Sequence, residues 1–335
     1  MKTLVTGATG LLGNNVVRTL LDQGKHVRAL VRRTSNSRPL EDLDVELITG
    51  DITDPASVEE AVKSTTGVIH CAGLVQIGST NPAKHDQINH LGAVNVAEAC
   101  QRLEIPLVHV STVDALGIGA WDEPATETTA RNGFEQCPYV KSNRAADRRI
   151  CDLVKRGLTA TIVYPGFMLG PWDWRPSSGK MLLSVAERWK PFAPAGGVSL
   201  CDVRDVALAI VTALEHLHVG KTICEIPSRY ILAGENITYL EVWRLFARVS
   251  GGRGPIYWSG PLMRIAAGSW GDCWGKLTGN EPDVNSLAVR MSGQPHYFSS
   301  ELAVRELNYR MSSAAEAAAA AWKWFVDNGY THRSV

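Results

Sequence analysis

Residues 6–13 read TGATGLLG and join a short β-friendly stretch, 2–6, to a segment of helical apolar spacing. From Leu11 onward the apolar side chains recur at Leu12, Val16, Val17, Leu20 and Leu21, the period of an amphipathic helix. A glycine-rich turn at such a junction brings backbone N–H groups against a pyrophosphate. The helix N-terminus behind it adds favourable partial charge. Gly7 permits the tight turn, Gly10 the approach of the phosphates and Gly13 the packing of helix on strand, with Thr9, Leu11 and Leu12 as their partners around the ligand. The spacing is Gly-x-x-Gly-x-x-Gly rather than Gly-x-Gly-x-x-Gly, and three glycines alone also fit a structural turn. The strand–turn–helix order favours a nucleotide site.

Outward from this turn, strand candidates recur at 26–31, 44–48, 67–71, 107–110 and 160–164, between helix candidates at 11–23, 55–63, 82–103 and 137–156. Alternating α and β segments with short, nearly continuous apolar strands predict an α/β fold, a parallel sheet covered on both faces in a doubly wound Rossmann-type domain. Gly7, Arg32, Asp51, Ala72 and Thr112 all fall just after strand ends, where ligands bind in such folds. The rhythm changes after residue 165. The expected division is a nucleotide-binding domain at 1–165, with 198–228 returning to it, and a smaller substrate domain from 166–197 and 229–335. A strand is predicted at 222–226, helices at 238–250 and 313–328, and an irregular stretch at 255–282, which carries five glycines and three tryptophans.

The composition is that of an ordinary globular chain: 335 residues, 45% hydrophobic and 20% charged. A net charge of zero points to neither nucleic acid nor an anionic membrane as an obligatory partner. No apolar run is long enough for a membrane span, and a strand candidate starting at residue 2 leaves no room for a signal peptide, so a cytoplasmic location is expected. The seven cysteines form no C-x-x-C pair and are expected as free buried thiols; the nine histidines include no H-E-x-x-H, and no metal site is expected. Nine of ten tryptophans lie after residue 170, which sets the C-terminal part apart chemically; most suit core or interface packing. Trp172 and Trp174, in the Pro/Gly/Ser-rich segment GPWDWRPSSG, read as loop residues instead.

Together these segments resemble the extended short-chain dehydrogenase/reductase superfamily of the NAD-dependent epimerase/dehydratase type. TGATGLLG is similar to its cofactor signature, GDITD (50–54) to its adenine-contacting segment and HCAG (70–73) to a conserved strand end of the pattern. NHLGAVN (89–95), VSTVDALG (110–117), PGFMLGPWD (165–173), DVRDVA (202–207), FSSELAVRELNYR (298–310) and WFVDNGY (324–330) follow in the family's order. The resemblance covers nearly the whole chain and is strongest to dihydroflavonol-4-reductase-like and hopanoid-associated sugar epimerase proteins. It implies a nicotinamide cofactor, with Ala72, Tyr139 and Pro165 beside it, Asp51 accepting from the adenine amino group and Ile52 packing on the ring. Arg32 and Arg33 stand at the end of the second strand with no acid nearby, which selects NADP(H) over NAD(H); a solvated basic loop is the alternative.

The resemblance also implies a catalytic Ser/Thr, a Tyr and a Lys four residues after it. The matching positions here are Thr112, Tyr139 and Asn143, so the cation is missing. Residues 139 and 143 share a helix face, whereas Lys141 points away. The implied activity is reduction of a carbonyl or oxidation of a secondary alcohol, with Met168, Trp172 and Trp174 lining an apolar substrate pocket. Nucleotide-sugar epimerase or dehydratase chemistry, with Arg175 and Lys180 for a diphosphate, is one alternative; a catalytically weak NADP(H)-binding regulator is another. Pairing of the helices near 82–103 and 137–156 with their twins implies a homodimer.

Overall fold

The computed structural model describes residues 1–133, 136–220 and 227–331. The chain begins with β1 (Lys2–Thr6), α1 (Leu11–Asp22), β2 (His26–Val31), β3 (Val45–Thr49), α2 (Pro55–Val62) and β4 (Gly67–His70). α3 (Pro82–His85) runs through a π-helical turn, Asp86–Leu91, into α4 (Gly92–Arg102), followed by β5 (Leu107–Val110), α5 (Pro138–Val154) and β6 (Ala160–Pro165). Next come β7 (Phe167–Leu169), α6 (Gly179–Glu187), β8 (Phe192–Ala193), β9 (Gly197–Asp202), α7 (Val203–His218) and β10 (Ser228–Leu232). The C-terminal part holds β11 (Glu235–Thr238), α8 (Tyr239–Val249), β12 (Tyr257–Trp258), α9 (Pro261–Thr278), α10 (Ser286–Met291), β13 (Pro295–His296), α11 (Glu301–Leu307) and α12 (Ala314–Asp327).

The main sheet has seven parallel strands in the order β10-β6-β5-β4-β1-β2-β3. The order reverses between β1 and β4, which opens a crevice at their carboxyl ends. Strand burial explains the apolar runs: Leu4, Val5, Val68, Ile69, Leu107 and Val108 are fully enclosed. Val16, Val17 and Leu20 of α1 pack with α7 on one face. α2, α4 and α5 cover the other with Val58, Val96 and Ile150. Local chemistry sets the helix starts. Asp54 accepts from the Ala56 N–H with Pro55 in the first turn, and Ser313 and Glu316 form a reciprocal cap on α12.

A smaller sheet, β11-β9-β13 with β7 beside β9, carries α6, α8 and α12 around a second core built on Leu182, Phe246, Trp322 and Phe325. Within 198–228, α7 lies against α1, while β9 belongs to the smaller sheet; Ser228–Leu232 is the edge strand of the larger one. The strand predicted at 222–226 lies outside the described residues. Two expectations are corrected. Residues 255–282 are not irregular throughout, because an 18-residue helix, α9, occupies Pro261–Thr278. Its glycines serve close approach: a Cβ on Gly271 would stand 1.8 Å from the Val284 carbonyl oxygen. Cys273, on that helix, is an exposed thiol rather than a buried one.

Candidate active site

The glycine turn ends at Gly10, which opens α1 in extended conformation (φ −88°). Gly7 takes φ +71°, and a Cβ there would sit 2.7 Å from the Ala72 nitrogen. A Cβ on Gly13 would stand 2.2 Å from the Gly7 carbonyl oxygen. Both glycines are therefore demanded by the fold. Gly10 is not: its Cβ would meet only the Gly7 oxygen, at 3.4 Å, and the residue is exposed. A glycine the protein's own packing does not require, at the N-terminus of a 12-residue helix, suits the close approach of a phosphate. Thr9 is half-buried beside it, and Leu11 and Leu12 anchor the helix in the core.

Around the crevice, Arg32 and Arg33 are exposed and make no salt bridge among the described residues. Arg38, the third cation of this loop, lies 5.0 Å over the Trp174 ring. Asp51 uses Oδ1 to accept from the Thr53 N–H and hydroxyl, both at 2.9 Å. Ile52 is buried against Gly92, and its carbonyl accepts from Asn95 Nδ2. Ala72 follows β4, where its N–H donates to the Thr6 hydroxyl, and Pro165 closes β6. These groups fit a dinucleotide laid across the strand ends.

Thr112 lies two residues beyond β5, and Tyr139 is in the first turn of α5. The Thr112 hydroxyl is near enough to the phenol to favour its ionised form in part, and it donates to the Asp114 carboxylate at 3.4 Å. The Asp114 N–H donates to Thr112 Oγ1 at 3.3 Å, and the Asp114 carboxylate lies 3.2 Å from His296 Nδ1. Burial first, then the Asp114 charge, push the Tyr139 phenol well above its ordinary range. Asn143 shares the face of Tyr139 but is turned back on the helix: its Nδ2 donates to the Tyr139 carbonyl at 2.8 Å. Lys141 is exposed. Position 143 therefore brings no positive charge to the Tyr139 face of the helix.

Sequence reasoning gave no role to several residues that build this site. Arg144 donates to the carbonyls of Ala115, Leu116 and Asn132, and so clamps the Thr112 loop to the helix of Tyr139. Asn89, in the π-helical turn, holds the backbone of Leu74 through both amide atoms and reaches Ser142. The NHLGAVN motif was the signal for Asn89; Arg144, a long-range clamp, left none. Leu287 and Met291 share an apolar cluster with Cys137, Tyr139 and Val140, and Ile77 packs against it.

Met168 lies on β7 against the core of the larger lobe. Trp172 and Trp174 are in a loop, with Trp172 at φ +71°, yet their rings do pack into a core. They form a cluster with Trp324 of α12, and Arg18 of α1 stacks 3.3 Å over Trp172. The expectation that core packing would not claim these two indoles is thus corrected: they tie α12 to the nucleotide lobe. Of the cations considered for a diphosphate, Lys180 is paired with Asp283 at 2.6 Å and Arg175 is exposed. Among the described residues, no group of His, Cys, Asp or Glu could hold a metal ion.

Comparison with known proteins gives the family. The sequence pattern of the NAD dependent epimerase/dehydratase family matches residues 3–226. A putative dihydroflavonol 4-reductase of Synechocystis is 31% identical over 333 residues, covering 97% of this chain and 95% of the relative. Sterol demethylase protein B of Methylococcus capsulatus is 30% identical over 337 residues, 98% of this chain and 99% of its own. The crystal structure of gox2253 superposes with a TM-score of 0.83 at 31% identity, over 98% of both chains.

Proposed function

Because the chain belongs to the NAD dependent epimerase/dehydratase family, a group of extended short-chain oxidoreductase type, we propose that it is an NADP(H)-dependent reductase of carbonyl compounds, similar in action to dihydroflavonol reductases. The observation that carries this reading is the Tyr139 environment. The phenol holds its proton at neutral pH, as reduction requires, while burial and Asp114 disfavour the tyrosinate that oxidation would require. The bound dinucleotide supplies the hydride. Thr112 holds the carbonyl oxygen by its hydroxyl, and the Tyr139 hydroxyl passes its proton to that oxygen as negative charge develops there. The tyrosinate left behind regains a proton from water, and its raised pKa favours that return. Arg144 and Asn89 hold the two catalytic side chains in register.

Arg32 and Arg33 favour NADP(H), since each is exposed at the end of β2 with no carboxylate to occupy it. A charge-assisted phosphate contact is worth a kcal/mol or more. NADPH is therefore expected to bind at least about tenfold more tightly than NADH. Titration calorimetry tests this: equal affinities, or a preference unchanged in Arg32→Ala, overturn the NADP(H) reading. NADPH consumption with a panel of aromatic and alkyl ketones tests the reductase reading. A homodimer through α4 and α5, which pack side by side, completes the proposal, and light scattering that finds only monomer at micromolar concentration rejects it.

A further inference from the structure

α9 is built inside out. Surface helices normally turn an apolar stripe to the core and charge to solvent. Here the buried positions are Gly268, Gly271 and Gly275, which let the helix lie against the 284–286 backbone. The outward face carries Leu262, Met263, Ile265, Trp270, Trp274 and Leu277, with Leu262 83% and Trp270 73% exposed. The segment just before it continues this surface. β12 pairs with β8, and Trp189, Phe192, Ile256, Tyr257 and Trp258 are all exposed there. This is a large apolar area for a protein surface, rich in the indoles that favour a lipid–water boundary.

The charges among these residues are mostly positive; of the carboxylates that adjoin them, Glu281 is engaged by Thr80 and Asp283 by Lys180, and Glu187 is exposed. Segments 188–193 and 251–278 contain Arg188, Lys190, Arg253, Arg264 and Lys276 against a single carboxylate, Asp272. Asp272 is turned inward, accepting from the Ser286 N–H. The zero net charge of the whole chain conceals this asymmetry. A second copy of the chain would bring the same cations face to face across a two-fold axis. An anionic lipid surface offers the opposite charge to the cations and an apolar layer to the indoles. No helix among the described residues is long and apolar enough to cross a membrane, so the helix would lie on the bilayer rather than span it.

The surface also backs onto the catalytic cluster. α9 packs along α10, whose Leu287 and Met291 belong to the same apolar cluster as Cys137, Tyr139 and Val140 at the start of α5. A cleft of about 430 Å³ lies between them and the loop before α5, lined by Arg264, Leu287, Gly133 and Gln136. We infer that α9 and the β8–β12 pair dock this protein on an anionic bilayer surface, where the α9–α10 hairpin admits an apolar carbonyl substrate dissolved in the lipid. The substrate class rests on the reductase reading above; the docking does not.

The test is co-sedimentation of the full-length protein with vesicles of phosphatidylcholine alone or mixed with phosphatidylglycerol. Binding to the mixed vesicles is expected at least about tenfold above neutral ones at low salt, and it should weaken as salt rises. Trp270→Ser with Trp274→Ser should lower it by a similar factor, while NADPH affinity stays unchanged as evidence of folding. Protein left in the supernatant with both vesicle types overturns the docking. So does light scattering that finds a self-association this double variant dissolves. In a second arm, the double variant should slow reduction of a long-chain ketone in vesicles but not of its short, water-soluble homologue. Equal slowing of both overturns delivery from lipid. If wild type binds vesicles yet reduces neither ketone, the reductase reading fails, the substrate class falls with it and the docking stands.

Discussion

Asn143 stands one helical turn after Tyr139, at the position that the sequence reading matches to a catalytic lysine, and its amide donates to the Tyr139 carbonyl. No charge there lowers the phenol pKa, while burial and Asp114 raise it. Asn143→Lys should restore on the order of 1–3 pKa units of that tuning. Alcohol oxidation, which needs tyrosinate, should then rise at least about tenfold at neutral pH, with its alkaline limb moved to lower pH. Carbonyl reduction, which needs the protonated phenol, should change little. Fast oxidation by wild type at neutral pH, unaltered in the variant, would mean another group tunes Tyr139. The glycine turn supports an equally local prediction. Gly13→Ala forces a Cβ into the Gly7 carbonyl and should cost about 1–3 kcal/mol in urea unfolding. Gly10→Ala should unfold like wild type yet bind NADPH at least about tenfold more weakly, since only a ligand needs that space. Normal NADPH affinity in Gly10→Ala would place the phosphates elsewhere. These residues were legible in the sequence because their constraints are local, a positive φ or an i,i+4 face. Arg144 and the carbonyls it clamps were not, because their partners lie 11 to 29 positions away.

Among the elements, the β–α units of the nucleotide lobe followed from apolar strands and amphipathic helices, since both bury an apolar side. α9 escaped the same reasoning because it reverses that pattern. Its buried side is glycine, its exposed side is tryptophan and leucine, and glycine-rich sequence reads as loop. The reversal makes an unusual prediction for a helix. Replacing the largest side chain, Trp270→Ser, should leave stability within about 0.5 kcal/mol. Adding one methyl group at Gly271 should cost about 1–3 kcal/mol, because its Cβ would displace the Val284 backbone. Urea midpoints of the two variants in the opposite order would contradict this packing. Trp172 and Trp174 teach the converse. A Pro/Gly-rich segment does form a loop, but its rings are recruited by Arg18, Arg38 and Trp324, partners distant in sequence.

On the scale of the whole molecule, the two lobes enclose titratable groups that tie stability to pH. His70 and His109 stack at 5.5 Å beneath the strand ends. Burial lowers His70 to about 4 and His109 well below its ordinary value. As pH falls below about 6.5 the unfolded chain takes up these protons first, so the stability present above that pH is lost progressively towards pH 4. Asp147, raised to about 6 by burial, works in the other direction, because the folded protein takes its proton first. By pH 5 His70 alone removes about 2 kcal/mol, which Asp147 and Asp173, both raised to about 6 by burial, offset by about 1 kcal/mol each, so the loss that His109 adds remains as a net destabilisation. Urea unfolding at pH 7 and pH 5 checks the sign, and equal or greater stability at pH 5 would contradict it. The fold brings the glycine turn, Thr112 and Tyr139 to the carboxyl-end side of the central strands, and the proposed carbonyl reduction depends on that meeting. The most direct test is the rate of NADPH oxidation by a reducible ketone in Tyr139→Phe, measured beside NADPH affinity. Removing the proton donor should cut the rate about 100-fold or more with the affinity unchanged; a variant as fast as wild type would contradict the assignment of Tyr139 as the acid.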